Sequence, residues 1–339
     1  MNLEFLFSQI QQHYSLGAVL SHEKIQEGVC TENYKIETST GVYLLKQHRE
    51  NTIPKLDTIE KTQFFLRDNM VPAVTPVMVN NNEYHIIVDE KYYSIYPFVT
   101  GFDGQDAGPL WNKTIHMGQL LAHMHLLSKD GLPFNACDQG YFMPQAPAKL
   151  LLEMERLEEI ISADKDEDGF KKEALESFAL KRQLLKENPD AYLIKSEAMS
   201  ERHITHGDFH TGNMFFDEEG KVSALFDFEH AGAAPRMYEL VRSFMMIFNH
   251  FYEEKNWDRV IVFLKAYHEI YPFSAEHLAQ AIEGFYIKNF STLWIEKFHY
   301  VDHNFRADSL LLKHHNTIIY LRDNREVFTK KLCKMVFEN

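Results

Sequence analysis

Apolar and polar positions alternate through much of the first hundred residues, with the period of two that is typical of β-strands. The segment NYKIETSTGVYLLKQH contains two β-favouring runs around a Ser-Thr-Gly turn, which predicts a hairpin. PVMVNNNEYHIIVD repeats this pattern around an Asn-rich turn, and YYSIYPFV predicts one more strand. Between them, IPKLDTIEKTQFFLRDNM places Leu56, Ile59 and Phe64 at helical spacing. The order strand, strand, helix, strand, strand predicts a small sheet that carries one helix.

The pattern changes after the glycine-rich segment VTGFDGQDAG. LWNKTIHMGQLLAHMHLL and the charged segment that follows it have helical spacing, and a short strand is expected on each side of the later Asp-Glu-Glu-Gly turn. From Arg236 onward, the chain is typical of helices rich in aromatic residues. We therefore predict an α+β architecture. A small lobe of residues 1–100 is joined to a larger, mainly helical lobe of residues 101–339, with a helical insert at about 147–200.

Composition places the chain among ordinary globular proteins, with 45% hydrophobic and 25% charged residues. The formal net charge of −14 argues against binding to nucleic acids or anionic membranes, because both need a basic surface. The cysteines (Cys30, Cys137 and Cys333) are far apart and odd in number, which indicates a reducing compartment. The N-terminal segment lacks the features of a signal peptide, and no apolar run reaches the ~18 residues that span a bilayer. We therefore expect a cytoplasmic protein without nucleic-acid or membrane partners.

The polar stretch HITHGDFHTGN contains His203, His206 and His210. One interpretation is a zinc site, since zinc needs three or four convergent ligands on a rigid element. Gly207 and Gly212 interrupt any helix that would align the three histidines, so the spacing disfavours zinc.

The acidic motif DKDEDG matches the first six positions of an EF-hand loop, which would bind calcium. The twelfth position should hold a bidentate glutamate, and here it is Leu175. The motif is therefore interpreted as a solvated acidic turn.

Phosphoryl transfer is the third interpretation, and it accounts for the most residues. Kinase catalytic loops place a proton-accepting aspartate five residues before an asparagine metal ligand, as Asp208 and Asn213 are placed here. A second metal-binding aspartate should follow a hairpin, and Asp227 ends the strand-like run ALFD. Upstream, Lys46 lies on a predicted strand and Glu60 on the helix that follows it. Each residue alone is a weak signal, but their common order is specific.

These motifs resemble the aminoglycoside phosphotransferase and choline kinase family, which has the protein-kinase-like fold. HGDFHTGN followed by LFDFEHAG carries the resemblance, GQLLAHMH and GAAPRMYELVRSF extend it, and together they cover roughly residues 20–250. The resemblance implies a bilobal fold, with a small antiparallel sheet lobe and a larger, mainly helical lobe. The sequence departs from the kinase pattern in EGVCTENYK, the segment expected to form the loop that covers the nucleotide. This segment has the single glycine Gly28 and not the G-x-G-x-x-G pattern.

The resemblance also implies roles for individual residues, with ATP and Mg²⁺ as cofactors. Asp208 would be the catalytic base, and Asn213 and Asp227 would hold Mg²⁺. Lys46 would pair with the α- and β-phosphates of ATP and be held by Glu60.

Further roles concern the rest of the nucleotide and the acceptor. Gly28 would cover the phosphates, and the segment from Tyr96 through Phe98 to Val99 would be the hinge on which adenine docks.

His206 is expected to order the catalytic loop. Contacts to the acceptor, or to the residues that hold the loop, are expected from His206, His210, Glu229, Arg236 and Trp294; for Trp294, helix packing is the main alternative.

The acceptor is predicted to be a small molecule. Only eleven residues separate Asp227 from Glu239, which is too few to build the peptide platform of a protein kinase. We therefore predict ATP-dependent transfer of the γ-phosphate to a hydroxyl of an amino alcohol, a homoserine-like molecule, a sugar or an aminoglycoside. The alternatives are a protein Ser/Thr kinase on the same fold and a catalytically silent nucleotide-binding protein.

Overall fold

A computed structural model describes residues 3–25, 32–49, 52–103, 110–163, 169–193, 196–248 and 254–338. The chain forms two compact units that alternate along the sequence. Unit 1 consists of Met1–Gln139, Arg202–Ala234 and Val262–Pro272, and unit 2 of Gly140–Glu201, Pro235–Ile261 and Phe273–Asn339. The lobe boundary that the sequence predicts at residue 100 stays a prediction.

Unit 1 begins with a five-stranded antiparallel sheet and two helices. In chain order these are α1 (Leu3–His13), β1 (Val19–Ile25), β2 (Asn33–Thr38), β3 (Gly41–Gln47), α2 (Ile53–Asp68), β4 (Ile86–Val88) and β5 (Lys91–Pro97). The strand order is β1-β2-β3-β5-β4. Ile36, Leu45, Tyr93 and Ile95 of the sheet pack in one buried cluster with Leu6 of α1. Burial of this apolar face holds the helix on the sheet.

The first predicted hairpin is confirmed as β2 and β3, and the predicted helix as α2. The second hairpin differs from the prediction, because β4 and β5 are joined at Asp89 and Glu90 and not at the Asn-rich turn. Both turn residues have positive φ, 49° and 63°, as a two-residue type I′ turn requires. Asp89 suits the first position of such a turn, but Glu90 stands where glycine is usual, so the dipeptide does not predict this turn.

The rest of the chain is mainly helical. Its elements are α3 (Leu110–Leu126), α4 (Pro147–Ala163), α5 (Gly169–Glu187), α6 (Glu197–Ser200), β6 (His203–Thr205), β7 (Met214–Phe216), β8 (Val222–Leu225), β9 (Gly232–Ala234), α7 (Arg236–Ile247), α8 (Glu254–Ile270), α9 (Ala275–Phe290), α10 (Trp294–Tyr300) and α11 (Leu311–Phe337), with short 3-10 helices at Gly140–Phe142, Thr211–Asn213 and Phe305–Leu310. Strands β7 and β8 flank the Asp-Glu-Glu-Gly turn, as predicted.

Two short strand pairs in unit 1 share their connections. Strand β6 pairs with β9, with Thr205 opposite Gly232, and β7 pairs with β8, with Met214 opposite Leu225. The chain passes from the first pair to the second through residues 206–213, and returns through residues 226–231. Because both connections join the same two pairs, the register of the strands brings the two loops side by side.

In unit 2, helix α9 contacts α6, α7 and α11. An ion pair is buried among the helices: Lys181 Nζ lies 2.7 Å from Glu296 Oε1, which also accepts a 3.1 Å hydrogen bond from Ser177 Oγ. Both charged side chains are almost fully buried, at 0% and 1% exposure. A buried pair of this kind is strongly destabilised when only one partner is removed.

Candidate active site

The buried imidazole of His206 connects the two loops. Its Nδ1 accepts a hydrogen bond from the backbone N–H of Asp208 at 3.2 Å, so in the neutral ring Nε2 carries the proton. Nε2 donates to the backbone oxygen of Phe226 at 3.0 Å, and the ring packs 4.4 Å from that of Phe228. The side chain therefore ties the loop that carries Asp208 to the loop that carries Asp227.

Gly207 lets the two loops approach at the position just before Asp208. Its φ is +81°, and a Cβ atom at this position would lie 2.1 Å from the backbone oxygen of His230. Any other residue would combine left-handed backbone strain with a clash against backbone. The glycine of the His-Gly-Asp motif is thus required by the packing of the second loop against the first.

The carboxylate of Asp208 is held by two neighbours in its own loop. Asn213 Nδ2 donates to Asp208 Oδ2 at 3.1 Å and to its backbone oxygen at 2.9 Å. His210 Nδ1 accepts from the backbone N–H of Gly212 at 3.0 Å, so the proton of the neutral ring lies on Nε2, 3.3 Å from Asp208 Oδ2. Both contacts fix the orientation of the carboxylate.

Asp227 follows β8 and lies beside Asn213. The backbone N–H of Phe226 donates to the backbone oxygen of Asn213 at 3.0 Å, which fixes the start of the second loop against the end of the first. Asp227 itself has a φ of +63°. For a residue with a side chain this conformation is strained, and such strain is concentrated at functional sites.

Lys46 lies between two carboxylates of the second loop. Its Nζ is 2.5 Å from Asp227 Oδ1 and 3.2 Å from Glu229 Oε1. Burial alone would lower the pKa of Lys46, but Asp227 and then Glu229 raise it above its usual value. Burial would likewise raise the pKa of Glu229, but Lys46, followed by His48, holds it well below its usual range. The interactions between the charged groups outweigh the effect of burial and favour the ionised cluster.

Glu60 does not hold Lys46, contrary to the expectation from the sequence. No ion pair joins the two among the described residues; His85 Nδ1 donates instead to Glu60 Oε1 at 2.8 Å. This hydrogen bond raises the pKa of His85, against the effect of burial. The carboxylate of Glu60 is thus engaged by His85, while Lys46 pairs with Asp227 and Glu229.

His48 was not predicted as a site residue, although it lies next to this cluster. Its Nδ1 donates to Glu229 Oε1 at 2.8 Å, and its Nε2 lies 2.8 Å from Ser94 Oγ. Lys46 lies on β3, and His48 is the first residue after the end of that strand. The backbone N–H of His48 donates to the backbone oxygen of Tyr92 at 2.9 Å, so the extended pairing with β5 continues to His48. Because the two residues are two positions apart in extended backbone, their side chains share one face of the sheet. That alternation is the sequence signal that could have identified His48.

The segment predicted as the hinge begins in β5. Tyr96 is buried, and its hydroxyl forms a hydrogen bond with Gln63. The backbone N–H of Phe98 donates to Val42 at 3.2 Å, and the cation of Lys35 lies 5.0 Å from the Phe98 ring centroid. That amide is therefore engaged within the protein. Gly28, predicted to cover the phosphates, lies outside the described residues.

Two of the predicted acceptor contacts lie in unit 2. Arg236 is the first residue of α7; it is buried, with Nε 3.6 Å from Glu201 Oε2. Trp294 begins α10, is 38% exposed and packs edge-on against Phe298 at 5.6 Å. Their roles toward an acceptor stay predictions.

The histidines considered as zinc ligands have separate partners. His203 Nε2 lies 3.0 Å from the hydroxyl of Tyr271, whereas His206 and His210 form the loop contacts described above. In the described ranges, no group of three or more His, Cys, Asp or Glu side chains is arranged to hold a metal ion. Residues 164–168 of the acidic motif fall outside those ranges.

Comparison with known proteins identifies the family. The pattern of the phosphotransferase enzyme family matches residues 21–277, so the chain belongs to this family. A homoserine kinase from Burkholderia vietnamiensis is 30% identical over 124 residues, and one from Burkholderia ambifaria is 28% identical over the same length. Each match covers 36% of this chain and 36% of the relative, so the chain spans about a third of the curated relatives it matches.

Solved structures share the fold over nearly the whole chain. Spectinomycin phosphotransferase APH(9)-Ia bound to AMP has a TM-score of 0.62 at 15% identity, covering 93% of this chain and 94% of the other. Amicoumacin kinase hAmiN, in complex with AMP-PNP, Ca²⁺ and Ami, has a TM-score of 0.63 at 14% identity, covering 94% and 93%. A microcompartment-associated aminopropanol kinase has a TM-score of 0.62 at 12% identity, covering 96% and 98%.

These findings confirm the predicted resemblance and the predicted α+β, kinase-like fold class. The prediction of a phosphotransferase enzyme is confirmed at the level of the family. None of the helices in the described part of the chain is both long enough and apolar enough to cross a membrane.

Proposed function

We propose that the protein is an ATP-dependent kinase that moves the γ-phosphate of ATP to a hydroxyl group of a small molecule. The observation that carries the proposal is the pair of adjacent loops, 206–213 and 226–231, which hold Asp208 and Asn213 next to Asp227, with Lys46 paired to Asp227. Phosphoryl transfer depends on positioning and electrostatic stabilisation, and these are the residue types it needs.

Asp208 is the proposed general base. Its Oδ2 is oriented by Asn213 and His210, so the carboxylate is aimed before the acceptor arrives. An ordered carboxylate accepts the proton of the acceptor hydroxyl without the cost of reorganisation during the reaction.

Asn213 and Asp227 are the proposed Mg²⁺ ligands. The Nδ2 of Asn213 is engaged by Asp208, which leaves its Oδ1 as the atom for a metal, and the Asp227 side chain is 45% exposed. Amide and carboxylate oxygens are the hard ligands that Mg²⁺ prefers, so the residues fit the ion. When bound, Mg²⁺ would neutralise negative charge on the phosphates. Lys46 would bind the non-transferred phosphates.

A small-molecule acceptor is supported by the short path from Asp227 to α7. Only residues 228–235 lie between Asp227 and Arg236, the first residue of that helix, and part of this segment is β9. Little chain is therefore available for a peptide platform. The named relatives are kinases of homoserine, aminopropanol and antibiotics, so amino alcohols, homoserine, sugars and aminoglycosides form the acceptor panel.

The experiment is to measure ADP release from purified protein with Mg-ATP across this panel, with Asp208→Ala in parallel. Release that depends on one acceptor, and that falls by at least ~100-fold in the variant, is expected if Asp208 is the base. Labelled phosphate on protein, and on no metabolite, would favour a protein kinase. Nucleotide binding without transfer to any acceptor or protein would favour a silent binding protein.

A further inference from the structure

The two carboxylates that flank Lys46 differ in their surroundings. Asp227 is the closer partner, but its side chain is 45% exposed, whereas the side chain of Glu229 is 11% exposed. An exposed ion pair contributes little and is exchanged easily, but a buried one is costly to break. The contact with Glu229 is therefore the more permanent of the two.

Three groups hold Glu229 in place. Lys46 and His48 both lie against its Oε1, and the backbone N–H of Arg49 donates to its Oε2 at 3.3 Å. Ser94 lies behind His48 on the neighbouring strand, at 2.8 Å from Nε2. A carboxylate held by this many donors cannot move far when a ligand binds, so it can act as a fixed anchor.

Glu60 does not anchor Lys46 in this structure, because its carboxylate pairs with His85. We propose that Glu229, positioned by His48, anchors the nucleotide-binding lysine Lys46. On nucleotide binding, Lys46 exchanges Asp227 for a phosphate oxygen and keeps Glu229. This inference rests on the proposed kinase function.

Charge balance explains the exchange. Without nucleotide, Lys46 neutralises the Asp227 carboxylate at 2.5 Å. With nucleotide, Asp227 would face the divalent cation, and Lys46 would face the phosphates. Each charge then keeps an opposite partner throughout, and the position of Lys46 is preserved by Glu229.

The test is the affinity for AMP-PNP with Mg²⁺, measured by titration calorimetry, so that it does not depend on turnover. Glu229→Gln is expected to weaken binding by at least about tenfold, because Lys46 then keeps only Asp227 as an anionic partner. Glu60→Gln is the rival variant and is expected to have a smaller effect. Asp57→Asn, which changes a carboxylate half exposed beside Lys61, is the surface control.

A double-mutant cycle tests whether Glu229 acts through Lys46. In a Lys46→Met background, Glu229→Gln should change affinity by less than about twofold, since the residue that it positions is gone. His48→Gln provides a second variant should Glu229→Gln fold poorly in thermal melts. It should weaken binding in the same direction, and this effect should also vanish with Lys46→Met.

Three results would overturn the inference. Glu60→Gln could weaken binding more than Glu229→Gln does, which would return the anchor to Glu60. Glu229→Gln could retain its full effect in the Lys46→Met background, which would make Glu229 a direct ligand of the metal or nucleotide. Both Glu229→Gln and His48→Gln could leave the affinity unchanged. Failure of the unaltered protein to bind Mg-AMP-PNP is a different result, because it refutes the proposed kinase function itself.

Discussion

Gly207→Ala tests directly whether the packing of the second loop requires glycine at the position before Asp208, the proposed catalytic base. The left-handed φ of +81° costs an alanine about 1–2 kcal/mol. Its Cβ would also lie 2.1 Å from the backbone oxygen of His230, where overpacking adds about 1–3 kcal/mol. We expect a total destabilisation of about 2–5 kcal/mol. Because Asp208 is the next residue, a displacement near ~1 Å should also lower turnover about 100-fold.

Gly220→Ala is a matched control for the backbone strain. Its φ is +82°, and its added Cβ would lie 3.1 Å from the Cγ atom and 3.3 Å from the backbone nitrogen of Lys113, which is a tight contact but not the 2.1 Å overlap found at Gly207. The substitution should therefore cost about 1–2 kcal/mol for the backbone strain, without a severe clash. Gly220 belongs to the turn between β7 and β8 and not to the two loops, so turnover should change little.

Urea unfolding and acceptor-dependent ADP release measure the two effects. The difference in unfolding free energy between Gly207→Ala and Gly220→Ala isolates the clash with His230. Equal destabilisation by the two substitutions would refute the packing argument. A large loss of stability with unchanged turnover would show that the loop position is not coupled to the chemistry.

Three other substitutions test electrostatic features of the fold. Glu296→Gln should destabilise the protein by about 3–5 kcal/mol in urea unfolding, because it leaves Lys181 buried without its partner. Glu60 raises the pKa of His85 above 6.5, so the pair stabilises the fold fully below pH 6.5. This stabilisation is lost as pH rises through the raised pKa, and His85→Gln should remove that part of the pH dependence of stability. Burial lowers the pKa of Lys288 to about 8 from 10.5, so Lys288→Met should raise stability at pH 7, and the gain should shrink as pH rises from about 8 to 10.5.

Each of these tests has a contrary outcome. Glu296→Gln should cost far more than Asp57→Asn, whose ion pair with Lys61 is half exposed and contributes at most about 1 kcal/mol. Equal effects would mean that the buried pair adds no more than a surface pair. An unchanged pH profile in His85→Gln, or a gain in Lys288→Met that does not depend on pH, would contradict the assigned pKa shifts.

The arrangement of the proposed catalytic residues could be predicted from the sequence because its signals are local. Asp208 and Asn213 belong to one turn, and Asp227 follows a strand whose apolar run is visible in the sequence. Their spacing therefore carries over directly to their arrangement in the fold.

The ion-pair partners of Lys46 could not be predicted from the sequence, because they depend on the packing of elements that are distant along the chain. Glu60 is on the predicted helix α2, but only the tertiary structure shows that His85 occupies its carboxylate. Lys46 pairs instead with Asp227 and Glu229, which lie 181 and 183 residues further along the chain.

Two elements at the N-terminus were also missed. Strand β1 is an edge strand with four consecutive exposed residues, so it lacks the alternation of apolar and polar positions that marks a half-buried strand. Helix α1 has only a short apolar face, of which Leu6, Phe7 and Ile10 are buried. In the sequence these are a few isolated apolar residues, and only the tertiary structure shows that they are buried together against the sheet.

The alternation of the two units along the chain has a consequence for synthesis on the ribosome. Unit 1 needs Val262–Pro272 as its last segment, so it is complete only after roughly four-fifths of the chain has been made. Until then, the strand pairs that hold the two loops lack part of the surface on which they pack. Stop codons or truncations before this segment should therefore leave both units unfinished, and a split of the gene at residue 100 or 140 should not yield two separately folding halves.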